Sequence, residues 1–274
     1  MSSNTLVIKI GGAAGIRDHL AALAADIAAA ARDGASLVVV HGGSDEVNTL
    51  SERLGIEPKF IKSPSGHVSR YTDPQAMEVF TMAMAGTVNT ELVRQLRAHG
   101  VNAFGVSGVD GGLFRGERKT AIRSVEGAKI KVIRDDLSAT IDKVNTALIE
   151  TLVAAGYVPV VCPMVLAGTG EVCNVDADRA AAALARALAA ETLVFFTNVP
   201  GLLRDLGDPS TIIPKIRAGQ ADAFEPLAGG RMKKKFAAAV EAVQSGVAQA
   251  VIADARKEKP LARALAGEGT VLVP

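Results

Sequence analysis

Short apolar segments alternate with longer alanine-rich segments along most of this chain. The short segments are rich in Val, Ile and Leu, which predicts buried parallel strands at 5–10, 36–41, 101–106, 157–162, 192–197, 249–253 and 270–273. The longer segments predict helices at 17–33, 45–54, 74–98, 142–155, 177–189, 231–245 and 258–266, some of which stop at Gly34, Gly100 and Gly156. We therefore predict an α/β fold of three layers, in which helices cover both faces of a mostly parallel sheet.

The alternation fails between Leu113 and Arg134. Three short runs in this interval, at 113–115, 120–122 and 129–133, are typical of antiparallel hairpin strands that turn near Glu126-Gly127. We interpret the interval as a β-hairpin inserted into the α/β core. No linker rich in Pro, Gly or Ser divides the chain, so we expect two lobes that share one sheet, residues 1–190 and residues 191–274.

Composition narrows the functional classes. The 274 residues are 49% hydrophobic, and 30 Lys and Arg balance 29 Asp and Glu, so the basic surplus of a nucleic-acid-binding protein is missing. The spacing of Cys162 and Cys173 suits neither a zinc site nor a disulfide framework, and we expect both to fill the core. With no leader-like N-terminus and no apolar run near membrane length, we expect a cytoplasmic protein that binds neither nucleic acid nor a membrane.

Two predicted strands run directly into glycine pairs. The strand that carries Lys9 precedes Gly11-Gly12, and the next strand precedes Gly42-Gly43. Glycines between a strand and a helix expose N–H groups at the positive end of the helix, which favours an anion such as phosphate. A lysine in a buried strand is costly unless its ammonium reaches a negative group, so we interpret Lys9 as a phosphate contact. For this motif alone, the alternative is a lysine that extends to solvent beside a tight turn.

A second group of candidates lies farther along the chain. Asp176 and Asp178 open the helix 177–189, although Asp176 taken alone is explained as a helix cap. Another predicted helix begins after Gly229-Gly230 and contains the consecutive lysines 233–235. Successive helical side chains point about 100° apart, so at most one of these lysines faces a given phosphate, and we expect the others to be solvated. A lysine from each lobe with a carboxylate between them suits phosphoryl transfer, in which the protein aligns the reactants and neutralises charge.

Other chemistries have weaker support in the sequence. The phosphate-loop pattern GxxxxGK[ST] is absent, and the glycines between Gly11 and Gly15 do not have the GxGxxG spacing of a dinucleotide site. The histidines lack the spacing of a metal pair or a catalytic triad, and we expect core or surface roles for them. Arg70 can grip a carboxylate with two hydrogen bonds, and Asp73 predicts a helix cap, but an arginine before a cap is common.

Together these motifs resemble those of the acetylglutamate kinase branch of the amino acid kinase superfamily, in the same order and over nearly the whole chain. The matching segments are 9–12, 41–43, Arg70 with Thr72-Asp73, 174–178, 197–202 and 230–235. The resemblance implies the amino acid kinase fold, with Lys9 and Lys235 stabilising the transition state and Asp178 organising both lysines. It further implies that the acceptor is held by Gly42, Gly43, Ser44, Arg70 and Asn174.

The resemblance also implies ATP as phosphoryl donor, Mg²⁺ bridging phosphate oxygens and water, and a homodimer. The implied ATP-binding residues are Lys9, Gly11, Gly12, Thr197, Asn198, Val199, Gly201, Leu202, Leu203, Gly229 and Lys235. Asn198 departs from the pattern, because the family often has an aspartate at this point of the nucleotide loop. No protein ligand of Mg²⁺ can be named from the sequence.

Within this branch the chain resembles most the kinases that act on an amino acid attached to a carrier protein. Ser44 stands where acetylglutamate kinases usually have a third glycine, and the segments 69–73 and 107–111 have the carrier-type form. In those systems the amino group of L-2-aminoadipate or glutamate is joined to the C-terminal glutamate of a small acidic carrier. The kinase phosphorylates the free side-chain carboxylate, in lysine or arginine biosynthesis.

Residues 115–134 give a separate physical argument for an acidic partner. They contain seven Lys and Arg against two Glu, a surplus of five positive charges in a chain whose total is +1. Complementary charge speeds the encounter of two proteins and orients it, and salt weakens this effect. We expect carrier contacts from Arg115, Arg118, Lys119, Arg123, Lys129, Lys131 and Arg134. The alternative is a solvated hairpin whose lysines protect a sheet edge.

Two other functions remain open from the sequence. One is acetylglutamate kinase acting on free N-acetyl-L-glutamate, and the more remote one is a non-catalytic binding or regulatory protein of the same fold. The choice between aminoadipate and glutamate also stays open, since one methylene group changes specificity by only about 1–3 kcal/mol.

Overall fold

A computed structural model describes residues 5–12, 18–64, 66, 68–127 and 129–274, and it confirms the α/β class. The strands in chain order are β1 Thr5–Ile10, β2 Ser36–His41, β3 Phe60–Lys62, β4 Val68–Arg70, β5 Ala103–Ser107, β6 Phe114–Gly116, β7 Ile122–Glu126, β8 Lys129–Ile133, β9 Lys143–Val144, β10 Val158–Cys162, β11 Met164–Ala167, β12 Val172–Asn174, β13 Thr192–Thr197, β14 Lys215–Arg217, β15 Gln249–Asp254 and β16 Thr270–Val273. The α-helices are α1 Leu20–Arg32, α2 Ser44–Arg53, α3 Pro74–Thr81, α4 Asn89–Ala98, α5 Thr146–Ala154, α6 Ala177–Ala187, α7 Gly230–Gln244 and α8 Pro260–Leu265.

The central sheet has the strand order β14-β16-β15-β13-β1-β2-β10-β5 in the described part of the chain. All neighbouring pairs are parallel except β15 and β16, which are antiparallel. The strand β1 lies at the centre, with β2 on one side and β13 on the other. Open parallel sheets bind ligands at the carboxyl ends of the strands where the chain order reverses, and β1 marks such a point here.

Helices cover both faces of the sheet, as the alternating pattern predicts. Apolar residues of α1, α4 and α8 pack on the face that includes Ile8 and Val39, whereas α3, α5, α6 and α7 pack on the face that includes Val7 and Phe195. Successive residues of a strand point to opposite faces, so Lys9 lies on the same face as Val7 and is directed towards α6 and α7. The sheet therefore sets which helices can meet this lysine.

The long predicted elements are confirmed, with ends that move by a few residues. The three predicted helix stops adopt left-handed backbone angles, with φ of 87° at Gly34, 84° at Gly100 and 80° at Gly156. The helix predicted over 17–33 is observed from Leu20, and Arg17 lies outside the described residues. The helix predicted over 142–155 starts only at Thr146, because residues 143–144 form β9 and pair with β6.

The helix predicted over 74–98 is interrupted. A π-helix, Met82–Val88, separates α3 from α4 and inserts one extra residue per turn into an otherwise α-helical segment. Asp73 caps α3, since its carboxylate accepts a hydrogen bond of 2.8 Å from the amide of Ala76, as the sequence predicts. The π-helix matters for the site because it sets the rotation at which α4 begins.

The inserted hairpin is smaller than predicted. Only β7 and β8 form it, with Glu126 paired to Lys129 at the turn. The prediction that residues 113–115 join this hairpin is wrong: β6 pairs instead with β9 and, in parallel, with β11. The reason is burial, since Phe114 is fully buried in the core and cannot lie on an exposed arm.

Several short strands were not predicted, namely β3, β4, β9, β11, β12 and β14. Of these, β14 lies at one edge of the central sheet, and the others belong to small separate sheets. Cys162 and Cys173 are free and buried in the core, as expected. The described part of the chain contains no helix with the length and hydropathy that a bilayer-spanning segment requires. The boundary between lobes near residue 190 stays a prediction, and the sheet passes it without interruption.

Candidate active site

Lys9, Asp178 and Lys235 meet at the carboxyl end of β1. The Nζ atoms of Lys9 and Lys235 lie 2.8 Å and 2.9 Å from the same atom, Oδ1 of Asp178. The three residues are only 6 to 7% exposed. The ammonium of Lys235 also lies over the Phe195 ring, 5.4 Å from its centre, and makes a cation–π interaction with it. Two lysines separated by more than 220 residues are thus held beside each other by one carboxylate.

The electrostatics of this triad favour a positively charged site. Burial by itself would raise the pKa of the Asp178 carboxyl, but the charges of Lys9 and Lys235 outweigh it and hold that pKa well below its usual range. Burial and the charge of Lys9 lower the pKa of Lys235 to about 8, while Asp178 opposes this shift. The carboxylate is therefore ionised at neutral pH, and the triad carries a net positive charge that an anion can neutralise.

Local sequence explains why Asp178 and Lys235 reach this point. Asp176 caps α6 by accepting hydrogen bonds from the amides of Asp178 and Arg179, at 3.0 Å and 3.2 Å. The predicted cap is therefore confirmed, and Asp178 falls in the first turn, where the helix dipole stabilises a carboxylate. On the other side, Gly230 begins α7 with a left-handed φ of 53°, which a side chain would disfavour.

The three consecutive lysines of α7 separate as the helical geometry predicts. Only Lys235 is buried, and it alone joins the triad. Lys233 pairs with Glu225 at 3.2 Å, and Lys234 donates a hydrogen bond of 3.0 Å to the carbonyl of Val68. Both remain partly exposed, as expected, and each also makes a specific contact.

The N-termini of α2, α6 and α7 converge around the triad. Arg231 of α7 lies 3.5 Å from Asp45 of α2, and Lys234 of α7 lies 3.8 Å from Asp176 at the start of α6. Each helix N-terminus presents the positive end of its helix dipole. Three of them beside two buried lysines make a place where phosphate groups are strongly favoured.

The loop that contains Gly11-Gly12 is in contact with the loop that contains Gly42-Gly43. The amide of Gly42 donates a hydrogen bond of 2.8 Å to the carbonyl of Ile10, which extends the pairing of β1 and β2 beyond the strands. A Cβ at Gly12 would stand 2.3 Å from the backbone nitrogen of Gly43, a distance no side chain can adopt. The glycine at 12 is therefore required by close backbone approach, and the helix α2 starts at this contact, with Gly43 as its N-cap and Ser44 as its first residue.

Arg70 and Asn174 border the same end of the sheet. The guanidinium of Arg70 donates to the side chain of Asn48 and, at 3.3 Å, to the carbonyl of Ser44, and it stacks 5.4 Å from the ring of Phe60. Burial lowers the pKa of this guanidinium. Asn174 donates a hydrogen bond of 3.1 Å to the hydroxyl of Thr72. Arg70 and Asn174, which were predicted to hold the phosphoryl acceptor, are thus both fixed by neighbouring residues at the mouth of the site.

The residues predicted to bind ATP fall into two groups. Thr197 ends β13, and Asn198 and Val199 follow it; all three remain at least partly exposed, and Gly229 is exposed before α7. Gly201, Leu202 and Leu203 are buried instead, and the amide of Leu202 donates a hydrogen bond of 2.8 Å to the Thr270 hydroxyl. These three residues build the floor of the loop, so their surroundings favour a structural role over direct contact.

The residues predicted to contact the carrier also fall into two groups. Arg118 is committed to internal partners: it donates to Glu171 at 2.8 Å, to the carbonyl of Arg134 at 2.9 Å and to the carbonyl of Asp136 at 3.1 Å. The other residues of this set are exposed: Arg115, Lys119, Arg123, Lys129, Lys131 and Arg134. Burial and the nearby charge of Arg179 lower the pKa of Lys119. Arg118 therefore anchors the hairpin, and the remaining six carry the positive surface.

Sequence reasoning missed two buried polar residues near the site. Asp136 accepts a hydrogen bond of 2.9 Å from the amide of Thr72 and another of 2.9 Å from the amide of Ser138, which ties the hairpin base to the strand that ends at Arg70. Asn89 contacts His41, and its place inside a long predicted helix gave no signal. For Asp136 the only signal was an acidic pair directly after a basic hairpin.

Comparison with known proteins agrees with this geometry. The profile of the amino acid kinase family matches residues 4–254. The [LysW]-aminoadipate kinase of Deinococcus radiodurans is 49% identical over 98% of this chain and 91% of its own length. The protein of the same name from Thermus thermophilus is 47% identical over 97% of this chain and 99% of its own length. The acetylglutamate kinase of Methanopyrus kandleri is 39% identical over 97% and 99%.

A solved structure supports the fold. The carbamate kinase of Giardia lamblia bound to AMP-PNP superimposes with a TM-score of 0.66 over 99% of both chains, at 16% sequence identity. With the family profile matched over most of its length and near relatives covering almost all of it, this chain is a member of the amino acid kinase family and a phosphotransferase that uses ATP to phosphorylate a carboxyl group.

Proposed function

We propose that this enzyme phosphorylates the side-chain carboxylate of L-2-aminoadipate, or of glutamate, attached to a small acidic amino-group carrier protein. The single observation that carries the chemistry is the pair of buried ammonium groups on one oxygen of Asp178. In phosphoryl transfer the protein mainly positions the reactants and neutralises charge on the moving group, and this triad supplies both. It also argues against a non-catalytic role, since two lysines buried around one carboxylate are costly without an anion to bind.

The reaction needs no general base. A side-chain carboxylate is ionised at neutral pH, so one of its oxygens attacks the γ-phosphorus of ATP while the bond to the bridging oxygen breaks and ADP leaves. The product is an acyl phosphate, and no proton has to move. Consistent with this, Asp178 is paired with two lysines, and burial lowers the pKa of the nearby His41 to about 4. In this proposal Lys9 and Lys235 bracket the transferred group.

We assign the two lobes different tasks. Residues 1–190 bind the acceptor through Gly42, Gly43, Ser44, Arg70 and Asn174. Residues 191–274 bind ATP with the segment 197–199 and the start of α7. Mg²⁺ would arrive on the phosphates of ATP; the described residues contain no group of three His, Cys, Asp or Glu side chains that could hold a metal ion. Mg²⁺ usually keeps water molecules and substrate phosphate oxygens as its ligands.

The choice of a carrier-bound acceptor rests on the hairpin and on the relatives. The hairpin arm β7–β8 is exposed and basic, with Lys129 and Lys131 on one face. On its other face Ile130 and Val132 are 60% and 47% exposed, an apolar surface that a solvated arm does not need. A free dicarboxylic acid gains nothing from such an arm, whereas an acidic folded partner gains both charge complementarity and apolar contact.

A coupled ADP-release assay tests the proposal. We expect turnover with aminoadipate or glutamate on an acidic carrier and far less with free N-acetyl-L-glutamate, and hydroxylamine should trap the acyl phosphate as a hydroxamate on the carrier. Equal or better kcat/KM for free N-acetyl-L-glutamate would instead assign acetylglutamate kinase, the function named for relatives such as the Methanopyrus kandleri protein. No ADP release with any acceptor would leave only a binding role.

Charge reversal on the hairpin tests the carrier surface separately. Lys129→Glu with Lys131→Glu should raise KM for the carrier-bound acceptor at least about tenfold at low salt, with kcat nearly unchanged, since the arm steers binding rather than chemistry. The matched control is Lys215→Glu with Arg217→Glu, two exposed cationic residues on the edge strand β14. An equal rise in KM for the control pair would contradict the assignment.

We also propose that the enzyme is a cytoplasmic homodimer. The support is physical: β5 is an edge strand of the central sheet, its Phe104 is 43% exposed, and Met82 of the π-helix is 49% exposed. Sedimentation equilibrium would show the oligomeric state, and a monomer at micromolar concentration would contradict the dimer.

A further inference from the structure

His41 belongs to a buried chain of hydrogen bonds that ends at the glycine loop. Its Nδ1 atom lies 3.2 Å from the carbonyl oxygen of Gly42, and its Nε2 atom lies 3.0 Å from Nδ2 of Asn89. The same Nδ2 atom donates a hydrogen bond of 2.9 Å to the carbonyl of Val160. The chain therefore connects β10, the start of α4 and the end of β2.

The chemistry of the partners determines the tautomer of His41. The side-chain nitrogen of Asn89 can only donate, so Nε2 of His41 must accept from it and carries no proton. The proton is then on Nδ1, which donates to the carbonyl of Gly42. Burial lowers the pKa of His41 to about 4, and the charge of Lys9 acts in the same direction, although the carbonyl of Gly42 opposes it. A neutral imidazole with one defined tautomer follows.

This hydrogen bond fixes the orientation of a peptide group in the site. The described residues contain no cis peptide bond, so the N–H of Gly43 points opposite to the carbonyl of Gly42. Because His41 holds that carbonyl towards the interior, the N–H of Gly43 is turned away from the interior. The missing side chain of Gly12, whose Cβ would lie 2.3 Å from this nitrogen, keeps the space beside the amide free.

The π-helix secures the same peptide from the opposite side. A Cβ at Gly43 would stand 2.5 Å from Sδ of Met84 and 3.0 Å from Cγ2 of Val88, both in the π-helix. The next residue along is Asn89, the partner of His41. The π-helix therefore sets both the packing of Gly43 and the reach of Asn89, which gives this irregular segment a function.

We propose that His41 and Asn89 are positioning residues for phosphoryl transfer: they turn the Gly42–Gly43 peptide so that the N–H of Gly43 donates to the oxygens of the transferred phosphoryl group. This inference rests on the proposed kinase reaction but not on the identity of the acceptor. A preorganised N–H donor stabilises a transition state more than a mobile one does, because it needs no reorientation as charge develops. His41 itself touches no substrate.

The first test reads the tautomer and the amide directly in the wild-type enzyme, without an acceptor. In ¹⁵N NMR spectra between pH 6 and pH 9, Nδ1 of His41 should be protonated and Nε2 unprotonated throughout. Addition of MgADP with aluminium fluoride should move the Gly43 amide proton downfield. A proton on Nε2, or an unmoved Gly43 amide with the probe bound, would overturn the proposal even if every assignment of the acceptor were correct.

The second test uses variants and the acceptor that turns over best. His41→Leu should lower kcat roughly 30- to 100-fold, with KM for MgATP within about twofold; this is less than the loss of a whole transition-state donor, since the amide is misoriented and not removed. His41→Asn keeps a donor close to the position of Nδ1 and should restore kcat to within about fivefold of wild type.

The matched control is Val39→Ala, which lies two residues earlier on the same face of β2 and is fully buried but has no polar contact there. It should lose stability while keeping kcat. Parallel losses of kcat in Val39→Ala and His41→Leu, or His41→Leu within threefold of wild type, would show that His41 only fills the core. A wild-type enzyme that phosphorylates no acceptor would refute the proposed function while leaving the NMR test valid.

Discussion

Replacing Asp178 by asparagine should convert the triad into two unneutralised lysines. The two Nζ atoms lie 2.8 Å and 2.9 Å from the same oxygen, so they are at most 5.7 Å apart. At an effective dielectric constant near 20, two unit charges at this distance repel each other by about 3 kcal/mol. The pKa of about 8 for Lys235 in the wild type already includes this repulsion, and the attraction to Asp178 at 2.9 Å opposes it. Without that attraction, the repulsion is enough to weaken proton binding roughly a hundredfold, so Lys235 should be neutral at pH 7 in Asp178→Asn.

Two measurements should show this loss of charge. ADP release should fall about 100- to 1,000-fold at pH 7, the scale of a removed electrostatic contact in the transition state, and should recover partly at lower pH as the lysine regains its proton. Unfolding should become easier by about 3–5 kcal/mol, the usual cost of removing one partner of a buried charge cluster, as measured by urea titration at pH 7.

The pH dependence of stability has a defined sign. A lysine whose pKa is lowered on folding binds fewer protons in the folded than in the unfolded state, so stability rises with pH between the two pKa values. In the wild type this rise lies between about pH 8 and the ordinary lysine pKa of 10.5. In Asp178→Asn it should begin below pH 8. Asp178 has a lowered pKa, so its own contribution is present above its ordinary value of 3.8 and is lost in stronger acid.

The control is Asp176→Asn. Asparagine caps helices as well as aspartate does, so this change removes a neighbouring carboxylate without removing the cap of α6. We expect kcat within about threefold of wild type and a small change in stability, because the contact of Asp176 with Lys234 is long and partly exposed. If Asp178→Asn has the same kcat and the same pH dependence of unfolding as this control, the electrostatic reasoning fails.

Three further changes test the surroundings of the site. Asp26→Ala removes the carboxylate of α1 that accepts two backbone N–H groups at the start of α8, and should lower the free energy of unfolding by about 1–3 kcal/mol in urea titration without changing kcat. Gly12→Ala forces a Cβ onto the backbone of Gly43 and should abolish most ADP release, whereas Gly219→Ala, which meets no neighbour within 4 Å, should not. Arg118→Ala leaves its internal acceptors unpaired and should destabilise the fold by about 2–4 kcal/mol, seen as a lower melting temperature in circular dichroism.

Much of the fold was predictable because its long elements are locally consistent. The strands β1, β2 and β13 are largely apolar runs. Strong helix formers follow the Asp176 cap in α6 and precede Gly246 in α7, so local sequence and tertiary packing favour the same state. Lys9 stood out because an ionisable residue interrupts a buried strand. Its pairing with Lys235 through Asp178 came from resemblance, since nothing local links residues so distant in sequence.

The parts that were mispredicted depend on distant contacts. Residues 114–116 have the composition of a hairpin strand, and only the pairing with β11, some fifty residues later, explains why they are buried. The π-helix has no specific local signature either: Gly86, Thr87 and Val88 weaken the α-helical tendency of Met82–Val88 but do not indicate a π-helical turn. Its irregular turn is set by packing on Gly43, which lies in another loop. Non-local packing decides such short or irregular elements.

A count of charges in the hairpin region does not show which positive residues are available to a partner. The seven positive residues are equivalent in the sequence, yet Arg118 donates its hydrogen bonds to Glu171 and two backbone carbonyls. One of those carbonyls belongs to Asp136, whose carboxylate holds the amide of Thr72, and the hydroxyl of Thr72 accepts from Asn174. The arm is therefore joined by a short series of hydrogen bonds to the side chains that border the acceptor site. A partner that binds the exposed charges of the arm is thus held at a fixed position relative to the triad, which is what transfer to a group tethered on that partner requires.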